Sequence, residues 1–88
     1  MLERDIEKAL IRRIKTLGGI AYKFVSPGVT GVPDRMCLFP NGKLVFIELK
    51  APRKQPTVRQ LREHERIRSL GFTVLVIDNL EDANAFTL

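Results

Sequence analysis

Asp34, Glu48 and Lys50 are the residues of this sequence best placed to do chemistry. They stand at the outer ends of a stretch, Val32 to Lys50, in which two apolar runs flank Pro40-Asn41-Gly42. Runs rich in Val, Ile, Leu and Phe read as strands, and Pro-Asn-Gly between them reads as a hairpin connection. A two-residue turn at Asn41-Gly42 would set Asp34 opposite Leu49 and send Glu48 to the other face. A three-residue loop suits the residue types better. Proline fits the first central position of a type I turn, and Gly42 supplies the positive φ of the bulge that follows. Phe39 then pairs with Lys43, and Asp34 lies across from Glu48. Lys50 shares their face because strand side chains alternate with a period of two.

Directly opposed side chains have Cβ atoms about 5 Å apart, and two carboxylates there repel by about 3 kcal/mol at an effective dielectric near 20. A purely structural sheet would gain by replacing one of them. A divalent cation turns the repulsion into ligation, because hard ions such as Mg²⁺ or Mn²⁺ take carboxylate, water and phosphate oxygens. The competing reading is that Lys50 neutralises the pair and no metal binds. Two residues along a strand span about 7 Å, which makes Lys50 a poor direct partner for Glu48.

The elements that must carry these residues follow from periodicity. Leu2, Ile6, Ala9, Leu10, Ile14 and Leu17 have the spacing of an amphipathic helix over residues 2–17, ended by Gly18-Gly19. Acids in its first turns and bases in its last suit the helix macrodipole, which by itself accounts for Glu3. Ile20 to Val25 predicts the first strand. Ser26 to Pro33, with two glycines and two prolines, is a loop leading straight to Asp34. Such a loop can turn backbone N–H groups and the hydroxyls of Ser26 and Thr30 toward phosphate oxygens, although most loops of this composition are plain connections. On the hairpin, Met36, Leu38, Leu44 and Phe46 share the face of Asp34 and Glu48, while Cys37, Val45, Ile47 and Leu49 take the other. A sheet apolar on both sides wants cover on both sides. Two long helices cover one face well, so the remaining apolar surface is expected to be a homodimer contact.

Thr57 and Gln60 have the spacing of a capping box opening a second helix, which runs to Leu70 and stops at Gly71. Val58, Leu61, Ile67 and Leu70 are its expected buried stripe. His64 falls on the same stripe, where a lone histidine is more often packed than a ligand. Arg59, Arg62, Arg66 and Arg68 are expected to face outward, into solvent or as a ridge for phosphates. Phe72 to Ile77 predicts a buried strand reached by a right-handed crossover from the Glu48 strand. Asp78-Asn79 then caps a short helix from Leu80 to Phe86. The expected fold is α/β, with order α-β-β-β-α-β-α around a mixed four-stranded sheet.

A chain of 88 residues with 44% hydrophobic and 28% charged side chains fits one globular domain over residues 1–88. The formal charge of +5 and pI near 9.9 point to a polyanionic partner, nucleic acid before membrane. The lone cysteine, Cys37, excludes an intramolecular disulfide and suits a reducing compartment. With no signal peptide and no long apolar run, a cytoplasmic location is expected and a membrane span is not.

Val-Pro-Asp34, thirteen intervening residues, then Glu48-Leu49-Lys50 resembles the PD-(D/E)xK nuclease signature. Glu3 in an opening helix, Ser26-Pro27-Gly28, Gly31-Val32-Pro33-Asp34 and Gln60 on the next helix extend the resemblance over nearly the whole chain. It is to the VRR-NUC family, in the small stand-alone form found in phages and bacteria. Each motif is short; their order, spacing and strand context make the match specific.

The resemblance implies a restriction-endonuclease-like core. It also implies a Mg²⁺- or Mn²⁺-dependent hydrolysis of DNA phosphodiester bonds. Asp34, Glu48 and the backbone carbonyl of Leu49 would hold the metal, with Glu3 a possible further ligand. Lys50 would orient the attacking water or stabilise developing charge, and Gln60 would support the site from beside it. Ser26, Thr30, Arg35, Arg53, Lys54 and Arg59 are the expected DNA contacts. Small stand-alone members resemble Holliday-junction resolvases of DNA repair and recombination, whose two-fold dimers match the symmetry of a four-way junction. A flap or general structure-specific nuclease is the nearest alternative. A basic DNA-binding module without catalysis is the alternative of another class.

Overall fold

A computed structural model describes residues 1–88. Helix α1 (Glu3–Thr16) leads to β1 (Ile20–Lys23), the hairpin β2 (Arg35–Phe39) and β3 (Lys43–Leu49), α2 (Val58–Ser69), β4 (Thr73–Ile77) and α3 (Leu80–Ala85). The strands form one sheet in the order β1-β2-β3-β4, antiparallel except for the parallel pair β3 and β4. The expected α/β order and mixed four-stranded sheet are both present.

The hairpin has the register that its three-residue loop predicts. Phe39 pairs with Lys43, and the ladder runs on to Arg35 opposite Ile47. The loop itself differs from expectation. Pro40–Gly42 forms a single 3-10 turn in which Asn41, at φ 68°, joins Gly42, at φ 75°, in the left-handed region. Asparagine tolerates that conformation better than most residues, so the turn closes without a second glycine. Strand β1 ends at Lys23 rather than Val25, although the Phe24 N–H still donates to the Asp34 carbonyl at 2.8 Å.

The two long helices lie on opposite faces of the sheet, not together on one. Ile6, Ala9, Leu10 and Ile14 of α1 pack with Cys37, Val45, Ile47 and Leu49, and α3 adds Ala83 with Phe86 just beyond it. Each fully buried isoleucine or leucine here contributes about 1.5–3 kcal/mol. Arg13 ties α1 to the end of α3 by donating through Nε to the Phe86 carbonyl at 2.7 Å.

The other face is covered by α2 alone, over β4 and β3. Its expected stripe is corrected: Val58, Leu61 and Leu70 are exposed, and His64 is the buried residue of the helix. The helix is turned so that Gln60, His64 and Ile67 face the sheet, where Gln60 donates to Glu48 and His64 packs beside the same carboxylate. The β1–β2 half of this face keeps an apolar surface, with Ile20, Tyr22 and Leu38 exposed. Phe24, Phe46 and Phe72 continue it as an aromatic row, with centroids 5.5 and 6.2 Å apart.

Candidate active site

The site forms at the end of the sheet away from the hairpin turn. Asp34 immediately precedes β2, and the ladder that pairs Arg35 with Ile47 sets it across from Glu48. One Asp34 oxygen, Oδ2, accepts the Leu49 N–H at 2.8 Å, so the acid is fixed to the opposite strand's backbone. Glu48 is 1% exposed, held between the sheet and α2.

Three side chains converge on the Glu48 carboxylate. Gln60 donates through Nε2 to Oε2 at 3.1 Å, and Lys50 Nζ approaches the same oxygen at 3.4 Å. His64, fully buried, brings Nε2 to 3.6 Å from Oε1, too long for a hydrogen bond. Oε1 and both imidazole nitrogens therefore lack a hydrogen-bond partner. Lys50 is closer to Glu48 than strand geometry suggests, because its flexible stem folds back along its own strand.

Electrostatics mark the same carboxyl. Burial pushes Glu48 up to about 7, Asp34 and, more weakly, Glu3 push the same way, and Lys50 opposes them. His64 is held below its ordinary value, chiefly by burial and then by Arg68, so its imidazole is neutral near pH 7. A raised, buried carboxyl beside a second acid is costly to ionise without a cation.

These residues fit a divalent ion. Two acids from adjacent strands face each other, and Glu48 Oε1 is buried without a protein donor. No group of three or more His, Cys, Asp or Glu side chains gathers there. Glu3 consequently stands near enough to influence Glu48 without joining a ligand cluster. A set of two carboxylates, completed by backbone, water and phosphate oxygens, is the donor chemistry that Mg²⁺ favours.

Gln60 combines both roles open to it. Its backbone N–H donates to Thr57 Oγ1 at 3.1 Å, and its Oε1 accepts the Thr57 N–H at 2.9 Å. The amide nitrogen is left for Glu48, so cap and site fix its orientation together. His64, expected from the sequence to be packed rather than a ligand, is packed, but against the Glu48 carboxylate. The signal was present: four residues after Gln60 on a helix is the same face.

The remaining candidates divide. Thr30 and Arg59 meet, the guanidinium donating to the hydroxyl at 3.0 Å, and Arg53 and Lys54 are exposed in the loop after Lys50. Ser26 lies in the same loop as Thr30, its carbonyl accepting the Val29 N–H at 3.2 Å. Arg35 is placed elsewhere. It pairs with Ile47 on the α1 face, donates to Glu7 at 3.1 and 3.2 Å and to the Ala21 carbonyl at 3.2 Å, and so faces away from the carboxylates. Strand alternation between Asp34 and Arg35 required this separation.

Comparison with known proteins agrees with this geometry. The chain is 56% identical over 77 residues to "Putative nuclease p44" of Acyrthosiphon pisum secondary endosymbiont phage 1, covering 88% of this chain and 83% of that protein. A solved structure described as a VRR_NUC domain superposes with a TM-score of 0.89 at 33% identity, covering 94% of this chain and 90% of the other. No protein-family model matches the sequence. With the fold, the opposed acids and these two relatives in agreement, the chain belongs to the VRR-NUC nuclease family.

Proposed function

We propose that the protein is a metal-dependent, structure-selective DNA endonuclease that cuts four-way junctions as a homodimer. The observation that carries this reading is Glu48, buried with a raised pKa opposite Asp34 and touched by Lys50. A nuclease in the relative's name and a VRR-NUC domain in the structural neighbour support the phosphodiester substrate.

Asp34, Glu48 and the Leu49 carbonyl would hold Mg²⁺ or Mn²⁺, which when bound makes water a better nucleophile and screens the phosphate charge. The chain's own residues do the rest. Asp34 is locked to the Leu49 N–H, so the two strands present their acids at a fixed separation. Gln60 holds Glu48 from the helix side. Lys50 places a partly exposed ammonium beside Glu48, where it orients the attacking water or stabilises charge on the phosphate. Thr30, Ser26, Arg53, Lys54 and Arg59 contact the backbone of the bound strand. DNA as substrate accords with a cytoplasmic location.

The apolar half of the α2 face supports the dimer, since Ile20, Tyr22, Leu38 and Phe72 are exposed together. A two-fold pair would present two sites to a symmetric junction.

Incubating the protein with labelled four-way junction, flap and linear duplex, with and without Mg²⁺, tests the reading. Cation-dependent cleavage of the junction, abolished in Glu48→Ala, is expected. Preference for the flap would replace the junction assignment, and binding without cleavage in any cation would defeat the catalytic one.

A further inference from the structure

Arg59, Arg62 and Arg66 lie on one flank of α2, because steps of three and four residues return to the same side of a helix. They line a cleft of about 670 Å³ whose opposite wall is the loop Pro27 to Thr30. Glu63 is the one acid among the lining residues, so three cations face one carboxylate. Elsewhere on α2 a guanidinium is spent inside the protein. Arg68 donates to the Val74 carbonyl at 2.8 and 3.2 Å and to Glu65 at 2.6 Å. The five ion pairs of the molecule leave Arg62 free, and Arg66, 75% exposed, meets only Glu63, at 3.5 Å.

Neither acid lines the cleft, but two short segments join its walls to the carboxylates. Its loop wall reaches Asp34 four residues after Thr30, at most about 14 Å of extended chain. Its helix wall carries Gln60, next to Arg59 and bonded to Glu48. Gly31, at φ +89°, presses the loop onto the helix; a Cβ there would stand 3.0 Å from the Arg59 carbonyl oxygen, so the seam between the walls is closed. From Arg59 to Arg66 the helix rises about 10 Å, roughly three base steps at about 3.4 Å each along one strand.

We propose that this cleft is a phosphate track gripping the sugar-phosphate backbone of the strand that flanks the cleaved bond, with Arg62, which is unpaired, and Arg66, held only by a long contact to Glu63, as its cations. The proposal rests on the nuclease reading above. It adds two residues outside the catalytic set and a path for the substrate: out of the site, over the closed seam at Gly31 and Arg59, and into the cleft.

Fluorescence anisotropy of a labelled DNA duplex, without divalent cation and across a salt series, tests it. Each lost phosphate contact on a duplex lowers the slope of log affinity against log salt by about 0.9. Arg62→Gln/Arg66→Gln is therefore expected to lower the slope by about 1.8, and Arg62→Lys/Arg66→Lys to restore it. Lys8→Gln/Lys15→Gln, on the exposed side of α1, removes the same charge and is expected to leave the slope unchanged. Circular dichroism confirms that each variant is folded. An unchanged slope in the arginine variant, or an equal fall in the lysine control, overturns the track while the nuclease reading stands. A wild-type protein that cleaves no DNA with Mg²⁺ or Mn²⁺ overturns the nuclease reading itself.

Discussion

Glu48 is where the fold and its function conflict. Its folded pKa of about 7 exceeds the ordinary value of 4.5, so the folded chain binds that proton more tightly than the unfolded one. The group's contribution to stability is thus complete below pH 4.5, declines as pH climbs through about 7, and is level above it. A shift of this size corresponds to about 3 kcal/mol between the two ends of that window. The cation-free protein should lose thermal stability from pH 5 to pH 8, as read by scanning calorimetry. Mg²⁺ or Mn²⁺ should restore it at pH 8 more than at pH 5, because only the ionised carboxyl binds the ion. Glu48→Gln should flatten the pH dependence, stabilise the apo protein by about 1–2 kcal/mol at pH 8, and abolish cleavage. An identical pH slope in Glu48→Gln would show that another group carries it. His64 belongs to the same conflict, since its two unpartnered nitrogens have no packing advantage over a leucine. His64→Leu should keep the fold and weaken cation binding by about 10–100-fold, as lost support around a metal ligand typically does. Isothermal titration calorimetry with Mn²⁺ would read the change directly, and unaltered affinity would reduce His64 to packing.

Helix α2 links stability to chemistry through one side chain. In Gln60 the amide oxygen completes the helix cap while the amide nitrogen holds Glu48. Glutamate serves that cap equally well, so Gln60→Glu separates the two roles. The variant should melt within a few degrees of wild type at pH 5 and lose cleavage by about 10–100-fold, because a third carboxylate replaces a donor. A large fall in melting temperature would assign Gln60 mainly to the helix. The sequence announced this helix, its cap and the hairpin register, since each depends on neighbours within a few residues. It did not announce which way the helix faces. Val58, Leu61 and Leu70 have the spacing of a buried stripe and are exposed, because buried His64 and half-buried Gln60 take the contact with the sheet instead. Nor did it reveal that Lys50 folds back on Glu48 or that Glu7 takes up Arg35, contacts that depend on side-chain reach across elements.

At the scale of the molecule, the unequal cover of the sheet decides the assembly to look for. The α1–α3 face is dry, with Ile6, Leu10, Ile14, Cys37 and Ile47 fully buried. The α2 face is dry only beneath the helix, and Ile20, Tyr22, Leu38 and Phe72 stay exposed beside an aromatic row. Exposed apolar side chains grouped in this way are the usual mark of an interaction surface. The patch lies toward the hairpin turn, whereas Asp34 and Glu48 lie at the opposite end of the strands, so a two-fold contact through it leaves both sites open to DNA. Sedimentation velocity should give a mass near twice the 10.0 kDa of one chain. Leu38→Lys should reduce it to one, since a charge buried in such a contact costs several kcal/mol, while Leu38 is too exposed for the change to unfold the chain. The monomeric variant should still cut a flap or nicked duplex, where one site suffices, but lose paired incision of a four-way junction. A wild-type chain that sediments as a monomer and still makes paired incisions would show that symmetry is not how the junction is met.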